Sequence, residues 1–372
     1  MSKKGSGTRV GLVAPLPPPF GGMSNQARLL KDLLSAEGVS VTLVQTNAPY
    51  QPEIIGRIMV VRALFRIVPY LVRLWRVAGR VDLFHIFANS GWSWQLFTAP
   101  AVWIAWLRNT PVIINYHGGG ARDYLNRSIR WVRPTMKRAD GIVVPSGFLQ
   151  EVFLKYGVDA EIIPIIIDLD RLKPCPQRGE RYLSGPHLVI TRNLESIYDI
   201  QTAIHAVSIL SKTVSGIRLS IAGDGPLRSQ LHELVRQLEL EDIVTFTGKL
   251  TPDDIATLYQ EADIMLNPTT VDNMPNSVLE SLACGIPVIT TDVGGIPYIV
   301  EDGKTALMVE VGDAEGMAAQ VNRLLRDSSL FEALVENGKN EVLAYTWSEI
   351  KQKWLSKYAQ FTSSDNSTKR CI

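Results

Sequence analysis

Short runs of β-branched and other apolar residues alternate along the chain with longer stretches whose apolar residues recur at helical spacing. Such alternation is typical of parallel sheets whose strands are connected by crossover helices. The predicted strands, in chain order, are Val10–Ala14, Val39–Gln45, Leu83–Phe87, Val112–Asn115, Gly141–Val144, Glu161–Ile163, Leu188–Thr191, Leu219–Ala222, Val244–Phe246, Ile264–Leu266, Val288–Thr291 and Leu307–Val309. The pattern therefore predicts an α/β fold built on doubly wound parallel sheets.

One segment without periodicity divides this alternation into two halves. Lys173–Pro186 is rich in turn-forming residues, which is typical of a domain boundary. We predict an N-terminal domain over 1–175, a C-terminal domain over 187–345, and a last helix with a tail over 346–372. Domains of this class bind ligands beyond the carboxyl ends of their strands.

Composition and charge exclude several classes of function. A formal net charge of +1 gives no global attraction to nucleic acid, so no nucleic-acid partner is expected. The chain has three cysteines and no CxxC pair, which fits a reducing compartment and argues against a structural zinc site. The opening residues hold no apolar signal-peptide core, so a cytoplasmic protein is expected.

Residues 54–81 contain six arginines and no acidic residue. Pro69 is expected to divide this stretch into two helices, because proline interrupts a helix interior. A basic face beside a broad apolar face suits an anionic membrane surface. The same pattern also fits packed helices with a solvated arginine face, and both interpretations stay open. The arginines that fall near one face at helical period are Arg62, Arg66, Arg73, Arg76 and Arg80.

The stretch Gly91–Leu107 is apolar and nearly uncharged. It is about as short as a membrane span can be, and Pro100 lies in its middle. We therefore predict a buried crossover helix there, near an acceptor site.

The densest candidate chemistry lies between Asp272 and Ile289. Asp272 is in a loop, and Glu280 is in a short helix that Asn276 or Ser277 is expected to cap and that Cys284-Gly285 should end. A carboxylate accepts two hydroxyl donors of a vicinal diol, and a helix N-terminus suits a phosphate. A nucleotide-sugar presents both groups.

Asp272, seven further residues, Glu280 and the continuation Ala283-Cys-Gly-Ile-Pro-Val288 resemble the mark of glycosyltransferase family 4. The resemblance is strong from about residue 188 to 310. It implies the GT-B fold, in which two Rossmann-like domains face a cleft and the last helix crosses back to the N-terminal domain. It also implies a retaining, metal-independent transfer from a nucleotide-diphosphate-sugar to a glycan, lipid-linked or small-molecule acceptor, with no cofactor.

The resemblance also implies roles for individual residues. Glu280 would hold the ribose hydroxyls, Asp272 the donor-sugar hydroxyls, and His117, at a strand end, would orient the sugar. Arg192 follows a predicted strand, where a guanidinium suits a phosphate. The other residues expected to bind the donor are Gly21, Gly22, Gly223, Gly248, Lys249, Asn273, Met274, Pro275, Asn276 and Ser277.

The chain departs from the family pattern at three places. Ile197 stands where a phosphate-binding lysine is usual, Asp272 replaces a longer glutamate, and Ile165-Ile166 replaces Asn-Gly. Another cation could replace the lysine, Tyr198 or Asn193 could donate hydrogen bonds instead, or the donor could be held differently. A nucleotide-sugar epimerase and a non-catalytic nucleotide-sugar-binding protein therefore stay as alternatives.

Overall fold

A computed structural model describes residues 7–18, 20–48, 59–175, 183 and 185–362, with side chains from Phe65 onward in the helix that begins at Met59. The chain divides into two units, Met1–Ile166 with Ile350–Ile372, and Ile167–Glu349. This division lies a few residues before the predicted boundary. Some residues named in our predictions lie outside the part of the chain that the structure describes. They are residues 54–58, the side chain of Arg62, residues 176–182 and 184, and the tail from 363, which includes Cys371.

Both the strands and the helices follow the predicted alternation. The strands are β1 Arg9–Ala14, β2 Ser40–Gln45, β3 Leu83–Ala88, β4 Val112–Tyr116, β5 Gly141–Val144, β6 Glu161–Ile162, β7 His187–Thr191, β8 Arg218–Ala222, β9 Val244–Gly248, β10 Ile264–Asn267, β11 Val288–Thr291 and β12 Leu307–Val309. The α-helices are α1 Gly22–Ala36, α2 Met59–Ala78, α3 Ala99–Leu107, α4 Ala121–Met136, α5 Gly147–Leu154, α6 Ile200–Leu210, α7 Arg228–Gln237, α8 Pro252–Glu261, α9 Asn276–Ala283, α10 Ala314–Arg326, α11 Ser328–Glu341 and α12 Trp347–Thr362. The predicted strands are confirmed, with ends shifted by one or two residues.

Each unit contains one six-stranded parallel sheet. The strand order is β2-β1-β3-β4-β5-β6 in the first unit and β12-β11-β10-β7-β8-β9 in the second. The order reverses direction between β1 and β3 in the first sheet and between β10 and β7 in the second. Ligands of doubly wound sheets bind outside the carboxyl ends of the strands at such reversal points. The four loops that follow β1, β3, β7 and β10 therefore lie at the places where ligands of such sheets bind.

The α2 helix corrects one prediction. Pro69 lies inside a single helix, so the predicted division into two helices is wrong. Proline removes one backbone hydrogen bond, but the helix continues because its inner face is anchored in the core. The anchoring residues Tyr70, Leu74, Val77 and Ala78 are all buried.

The apolar stretch Gly91–Leu107 forms a π-helical turn, Trp94–Thr98, that leads into α3. Pro100 lies in the first turn of α3, directly after the π-helical turn, so the wider turn occurs where proline cannot donate a backbone hydrogen bond. Trp94, Ala101 and Val102 are buried, as predicted, whereas Trp92 and Leu107 near the two ends are exposed. In the part of the chain that the structure describes, no helix combines the length and the apolar character needed to cross a bilayer.

The last helix of the chain packs on the first unit, as the resemblance implied. Tyr358 of α12 is hydrogen-bonded through its hydroxyl to Nδ1 of His85 at 2.7 Å, and the ring of Trp354 lies 4.5 Å from the His85 ring. Nε2 of His85 is 3.0 Å from Nδ2 of Asn115 on β4. Burial lowers the pKa of His85 to about 3, so a neutral imidazole anchors α12 to the sheet.

Candidate active site

Arg192 lies at the reversal point of the second sheet. It directly follows β7, and Nε donates to Oδ1 of Asn267, the last residue of β10, at 2.9 Å. Asn267 in turn donates from Nδ2 to Oγ1 of Thr290 at 2.9 Å, and the Tyr198 ring lies 4.9 Å from the guanidinium carbon. These partners fix the plane of the guanidinium at the carboxyl edge of the sheet.

Arg192 and Asp272 form an ion pair through Nη2 and Oδ2. The side chains are only 10% and 14% exposed, so both charges are largely withdrawn from water. Oδ1 of Asp272 also accepts from the backbone N–H of Asn273 at 2.9 Å. Loss of either partner would leave an uncompensated charge, which is costly in a buried position.

Two glycines allow the backbone around this pair to pack closely. A Cβ at Gly223 would collide with the carbonyl oxygen of Arg192, and a Cβ at Gly295 with that of Asn273. The N–H of Gly295 also donates to the carbonyl of Asp272 at 3.1 Å. Gly223 therefore positions Arg192, and Gly295 positions the Asp272 loop.

The start of α9 differs from the prediction. Pro275 occupies the N-cap position with φ of −68° and ψ of 116°, and no side chain caps the helix. The predicted cap at Asn276 or Ser277 is wrong because the proline ring fixes a backbone angle that ends the loop one residue earlier. The hydroxyl of Ser277 is buried without a hydrogen-bond partner among the described residues. The helix therefore begins with backbone N–H groups that no side chain satisfies.

Glu280 lies one turn into α9, in contact with a buried hydroxyl chain. Tyr259 donates to Oε2 of Glu280 at 3.4 Å, and its oxygen is 2.6 Å from Oγ1 of Thr191. Burial raises the pKa of Glu280, while the charge of Arg171, the Tyr259 hydrogen bond and the charge of Arg192 act in the opposite direction. A carboxylate held in this way is a strong acceptor for hydroxyl donors.

Arg171 is a residue that the sequence analysis missed. Its backbone N–H donates to Oδ1 of Asp168 at 3.3 Å, and its Nε is buried with no partner in the described part of the chain. Its segment continues to Pro174, which lies next to Gly285 at the end of α9. No local motif marks an arginine here, and only the fold brings it within electrostatic reach of Glu280.

Ile197, at the position of the usual lysine, contributes through its backbone. Its carbonyl accepts from the N–H of Thr270 at 2.8 Å and from the hydroxyl of Thr269 at 3.0 Å, and these residues precede Asp272. Nδ2 of Asn193 donates to Glu195 at 3.2 Å. The backbone of this segment thus supports the Asp272 loop, and the side chain of Ile197 adds no positive charge.

Gly248 and Lys249 lie farther along the same edge, at the outer strand β9. Gly248 has a positive φ of 74°, and its carbonyl accepts from the N–H of Gly223 at 2.9 Å. Lys249 is exposed. The structure therefore brings Arg192, Asp272, Asn273, Glu280 and Gly223 together, and it leaves Lys249 on the surface two strands away from β7.

His117 follows β4 at the carboxyl edge of the first sheet. Its backbone N–H donates to the carbonyl of Ala88 at 2.9 Å, and its ring stacks on Phe87 with centroids 5.0 Å apart. Nε2 is buried, and none of the described residues lies within hydrogen-bonding reach of it. Burial lowers the pKa of His117 to about 4, so the imidazole is neutral at pH 7.

A neutral polar cluster that the sequence did not reveal surrounds the next glycine. The hydroxyls of Ser90 and Tyr116 are 2.6 Å apart, and a Cβ at Gly118 would lie within 3 Å of both and of Oδ1 of Asn89. Trp92, two residues beyond Ser90, is 79% exposed. The cluster can hydrogen-bond hydroxyl groups without contributing charge.

Gly21 and Gly22 end the loop after β1, at the reversal point of the first sheet. Gly21 is the N-cap of α1 and Gly22 its first residue, and no side chain caps this helix. Both glycines are exposed. The helix start therefore presents backbone N–H groups, as an anion-binding site requires.

Family comparisons match almost the entire described fold. The model for Glycosyltransferase Family 4 matches residues 20–171, and the model for Glycosyl transferases group 1 matches residues 178–341. The chain belongs to glycosyltransferase family 4, group 1. The recognition made from Asp272, Glu280 and their continuation is therefore confirmed.

Named relatives show the range of this family. The N-acetyl-alpha-D-glucosaminyl L-malate synthase of Bacillus anthracis is 34% identical over 46% of this chain and 43% of its own length. The alpha-monoglucosyldiacylglycerol synthase of Streptococcus pneumoniae is 30% identical over 53% of this chain and 49% of its own. The matched stretches thus span about half the length of these curated relatives.

Solved structures support the fold class. Sucrose-phosphate synthase from Thermosynechococcus elongatus has a TM-score of 0.75 at 21% identity, covering 95% of this chain and 98% of that one. Anabaena HepE, solved in complex with UDP-glucose, has a TM-score of 0.72 at 15% identity, with 95% and 99% covered. At these identities the likeness shows the fold alone, and the predicted α/β fold of the GT-B class is confirmed.

Proposed function

We propose that the protein is a retaining glycosyltransferase that moves a sugar from a nucleotide-diphosphate-sugar to a glycan, lipid-linked or small-molecule acceptor. The observation that carries the proposal is the buried Arg192–Asp272 pair beside Glu280 at the reversal point of the second sheet. This edge places the guanidinium of Arg192 and the carboxylates of Asp272 and Glu280 next to the start of α9, which no side chain caps. A nucleotide-sugar needs that combination, because its diphosphate is anionic and its two rings present hydroxyls.

Each residue has a separate role in this proposal. Glu280 accepts hydrogen bonds from the ribose hydroxyls, and Asp272 from hydroxyls of the donor sugar. Arg192 and the first N–H groups of α9 stabilise the charge that develops on the leaving diphosphate. Contacts of Gly21, Gly22 and His117 with the donor stay predictions, as do those of Gly248 and Lys249.

The proposed reaction needs no separate base. The bond between the anomeric carbon and the phosphate oxygen breaks, and the acceptor oxygen bonds to the same face of that carbon. The acceptor proton passes to the departing phosphate oxygen. His117 is neutral near pH 7, so it would orient hydroxyls without adding charge.

We also propose that no metal takes part. Arg192 and Arg171 supply fixed positive charge near the two carboxylates, which reduces the need for a divalent cation at the diphosphate. A titration with EDTA and then with Mg²⁺ tests this step. Full activity in EDTA is expected, and activity that requires Mg²⁺ would contradict it.

The acceptor side of the proposal concerns the first unit. Asn89, Ser90 and Tyr116 form a neutral polar cluster that suits an acceptor bearing hydroxyls. The names of two relatives mention acylglycerol and phosphatidylinositol, which supports a lipid-linked acceptor. We propose that the protein acts in the cytoplasm and that an anionic membrane surface is one of its partners.

A thermal-shift panel of nucleotide-sugars, repeated on Glu280→Ala and Arg192→Ala, tests donor binding. The best ligand should raise the Tm of the wild type, and both variants should lose most of that shift. Transfer is then measured by NMR, where retention gives a product whose anomeric configuration matches the donor. Turnover without acceptor would instead indicate an epimerase, and donor binding without transfer or hydrolysis would indicate a binding protein.

A further inference from the structure

The α2 helix exposes a second apolar face. The first, described above, is buried against the sheet. The second consists of residues spaced three, four and three positions apart, which places them along one side of the helix. Their exposed fractions are 52% for Phe65, 52% for Val68, 43% for Val72 and 48% for Trp75. An ordinary crossover helix presents polar residues on its outer side, so this side requires another explanation.

The end of α3 continues the same surface. Trp106 and Leu107 are 42% and 60% exposed, and the next residue, Arg108, places its guanidinium carbon 5.0 Å from the centroid of the Trp75 ring. A Cβ at Gly79 would collide with that guanidinium, so the ends of α2 and α3 adjoin. The exposed apolar side chains of the two helices therefore form one surface.

Arginines surround this surface, and neither α2 nor α3 contains an acidic residue. Arg76 is exposed in the last turn of α2 and Arg80 two residues beyond it, and the exposed Arg73 donates from Nε to the carbonyl of Leu43 at 3.1 Å. Arg138 places its guanidinium carbon 3.7 Å from the Trp103 ring centroid and 5.0 Å from that of Trp106. Stacking on indole orders a guanidinium without neutralising it. We refer to the exposed side chains of α2 and the end of α3, with these arginines, as the basic-aromatic face.

We propose that the basic-aromatic face docks on a membrane surface that contains anionic lipids. Tryptophan and arginine both suit the boundary between headgroups and acyl chains, since each has an apolar or planar body and a polar end. The apolar row enters that boundary while the arginines contact lipid phosphates. This inference deepens the proposed function by naming the surface through which the enzyme reaches a lipid-linked acceptor, and it rests on that function only for the acceptor.

Vesicle sedimentation without donor or acceptor tests the docking directly. Wild-type protein should bind phosphatidylcholine vesicles that contain phosphatidylglycerol, and binding should weaken as salt rises. Arg76→Glu/Arg80→Glu should weaken binding by at least about 25-fold, since each arginine contributes about fivefold. Val68→Asp/Val72→Asp, which places carboxylates in the apolar row, should weaken it at least as much.

Matched controls separate the face from general charge and polarity. Arg28→Glu/Lys212→Glu makes the same change in net charge at exposed positions elsewhere, and Val311→Asp/Leu343→Asp changes two exposed apolar residues of the second unit. Both controls should bind like the wild type. Equal binding of wild type to vesicles of phosphatidylcholine alone, no binding at low salt, or unchanged binding of the two face variants would overturn the proposal.

Two further outcomes are diagnostic. A wild-type dimer that Val68→Asp/Val72→Asp converts to a monomer would show that a second copy covers the face, and would also overturn membrane docking. If the two face variants lose vesicle binding and still bind the donor, the docking surface is supported and the transferase proposal is unaffected. Vesicle binding by a protein that binds no nucleotide-sugar would contradict the transferase proposal and leave the docking surface standing.

Discussion

Both units contain a six-stranded parallel sheet whose strand order reverses once, but the carboxyl edges of the two sheets differ in electrostatic character. In the second unit the edge carries Arg192, Asp272 and Glu280, with Arg171 near the last of these. In the first unit the corresponding edge carries His117, whose pKa burial lowers to about 4, together with the hydroxyls of Ser90 and Tyr116. One edge holds charges in fixed pairs, and the other holds neutral hydrogen-bonding groups.

This difference follows what each half of the proposed reaction requires. The donor loses a dianionic leaving group, so fixed positive charge that costs no reorganisation stabilises the transition state. An acceptor hydroxyl needs orientation. A cation beside it would compete with Arg192 for the diphosphate. Two units with similar parallel sheets can therefore divide a two-substrate reaction by charge, with the charged edge for the donor and the neutral edge for the acceptor.

The largest effect is expected from Arg192→Ala. Transfer should fall by about 10²- to 10³-fold, the range seen when a group that stabilises transition-state charge is removed. The free energy of unfolding should also fall by roughly 3–5 kcal/mol, because Asp272 keeps a buried and unpaired charge. Steady-state kinetics and thermal unfolding measure the two effects, and a wild-type rate would refute the assignment.

A double variant separates catalysis from stability. Arg192→Ala/Asp272→Asn removes both charges, so stability should recover relative to Arg192→Ala while transfer stays low. If transfer recovers together with stability, Arg192 is structural and the second edge is not specialised for the diphosphate.

Glu280→Gln should weaken donor binding by about 10- to 100-fold, since hydrogen bonds to a charged acceptor are stronger than those to an amide. Without donor, the same variant should be more stable than wild type at pH 7 by on the order of 1 kcal/mol. Burial raises the pKa of Glu280 in the folded state, so the cost of its charge is present above that pKa and absent below the unfolded value. The gain should therefore disappear near pH 4.

Thermal unfolding across pH, with donor titration at pH 7, measures both parts of this prediction. Glu332→Gln, at an exposed position in the same unit, is the matched control and should change neither quantity. A variant that is less stable than wild type at pH 7 would mean that the carboxylate of Glu280 stabilises the fold.

The sequence predicted the charged edge because its parts are strand ends. Arg192 follows a clear strand pattern, Asp272 and Glu280 lie in one short motif, and parallel topology gathers strand ends at one edge of the sheet. The same reasoning placed His117 on the first sheet. Strand positions were predictable because β-branched runs between turn residues have few other ways to be buried.

The rest depended on packing that no local pattern records. Arg171 is far from Glu280 in sequence, and only the fold brings them together. Pro69 stays inside a helix because buried neighbours hold it, which local propensity does not indicate. Pro275, and not Asn276, is the N-cap of α9, because the proline ring fixes its backbone φ angle. Asn89 and Ser90 escaped notice because isolated polar residues after a strand resemble any loop.

Arg171→Gln tests whether a positioning residue tunes the charged edge. Its charge lowers the pKa of Glu280, so removing it should raise that pKa further. Donor affinity should change by only about two- to fivefold at pH 8, the end of the range where ionisation of Glu280 is most favoured. As pH falls, the variant should lose affinity at a higher pH than wild type, because protonation removes the acceptor earlier.

Donor Kd measured from pH 8 to pH 5 gives this profile. Arg171→Lys should restore the wild-type midpoint, and Lys173→Gln, at an exposed position in the same segment, should not move it. An unshifted midpoint would exclude a role in the charge of Glu280. A uniform loss at every pH would instead assign Arg171 a direct contact with the donor.

The smallest effect on transfer concerns His85, the histidine of the first unit that anchors α12 to the sheet. His85 has a folded pKa of about 3 against 6.5 for an unperturbed histidine, so the unfolded chain binds its proton first as pH falls. The stability linked to neutral His85 is fully present above pH 6.5 and decreases below it, by about 2 kcal/mol at pH 5. His85→Gln keeps hydrogen-bonding capacity towards Tyr358 without a titrating group, so the free energy of unfolding of this variant should depend less on pH between 6.5 and 5.

His205→Gln, which changes an exposed histidine of the second unit, is the matched control and should show the pH dependence of wild type. At pH 7.5 all three proteins should transfer sugar at the same rate, because His85 is already uncharged there. A His85→Gln profile as steep as that of wild type would mean that the folded protein protonates His85 as readily as the unfolded chain does, and a neutral imidazole would then not be what anchors α12 to the first sheet.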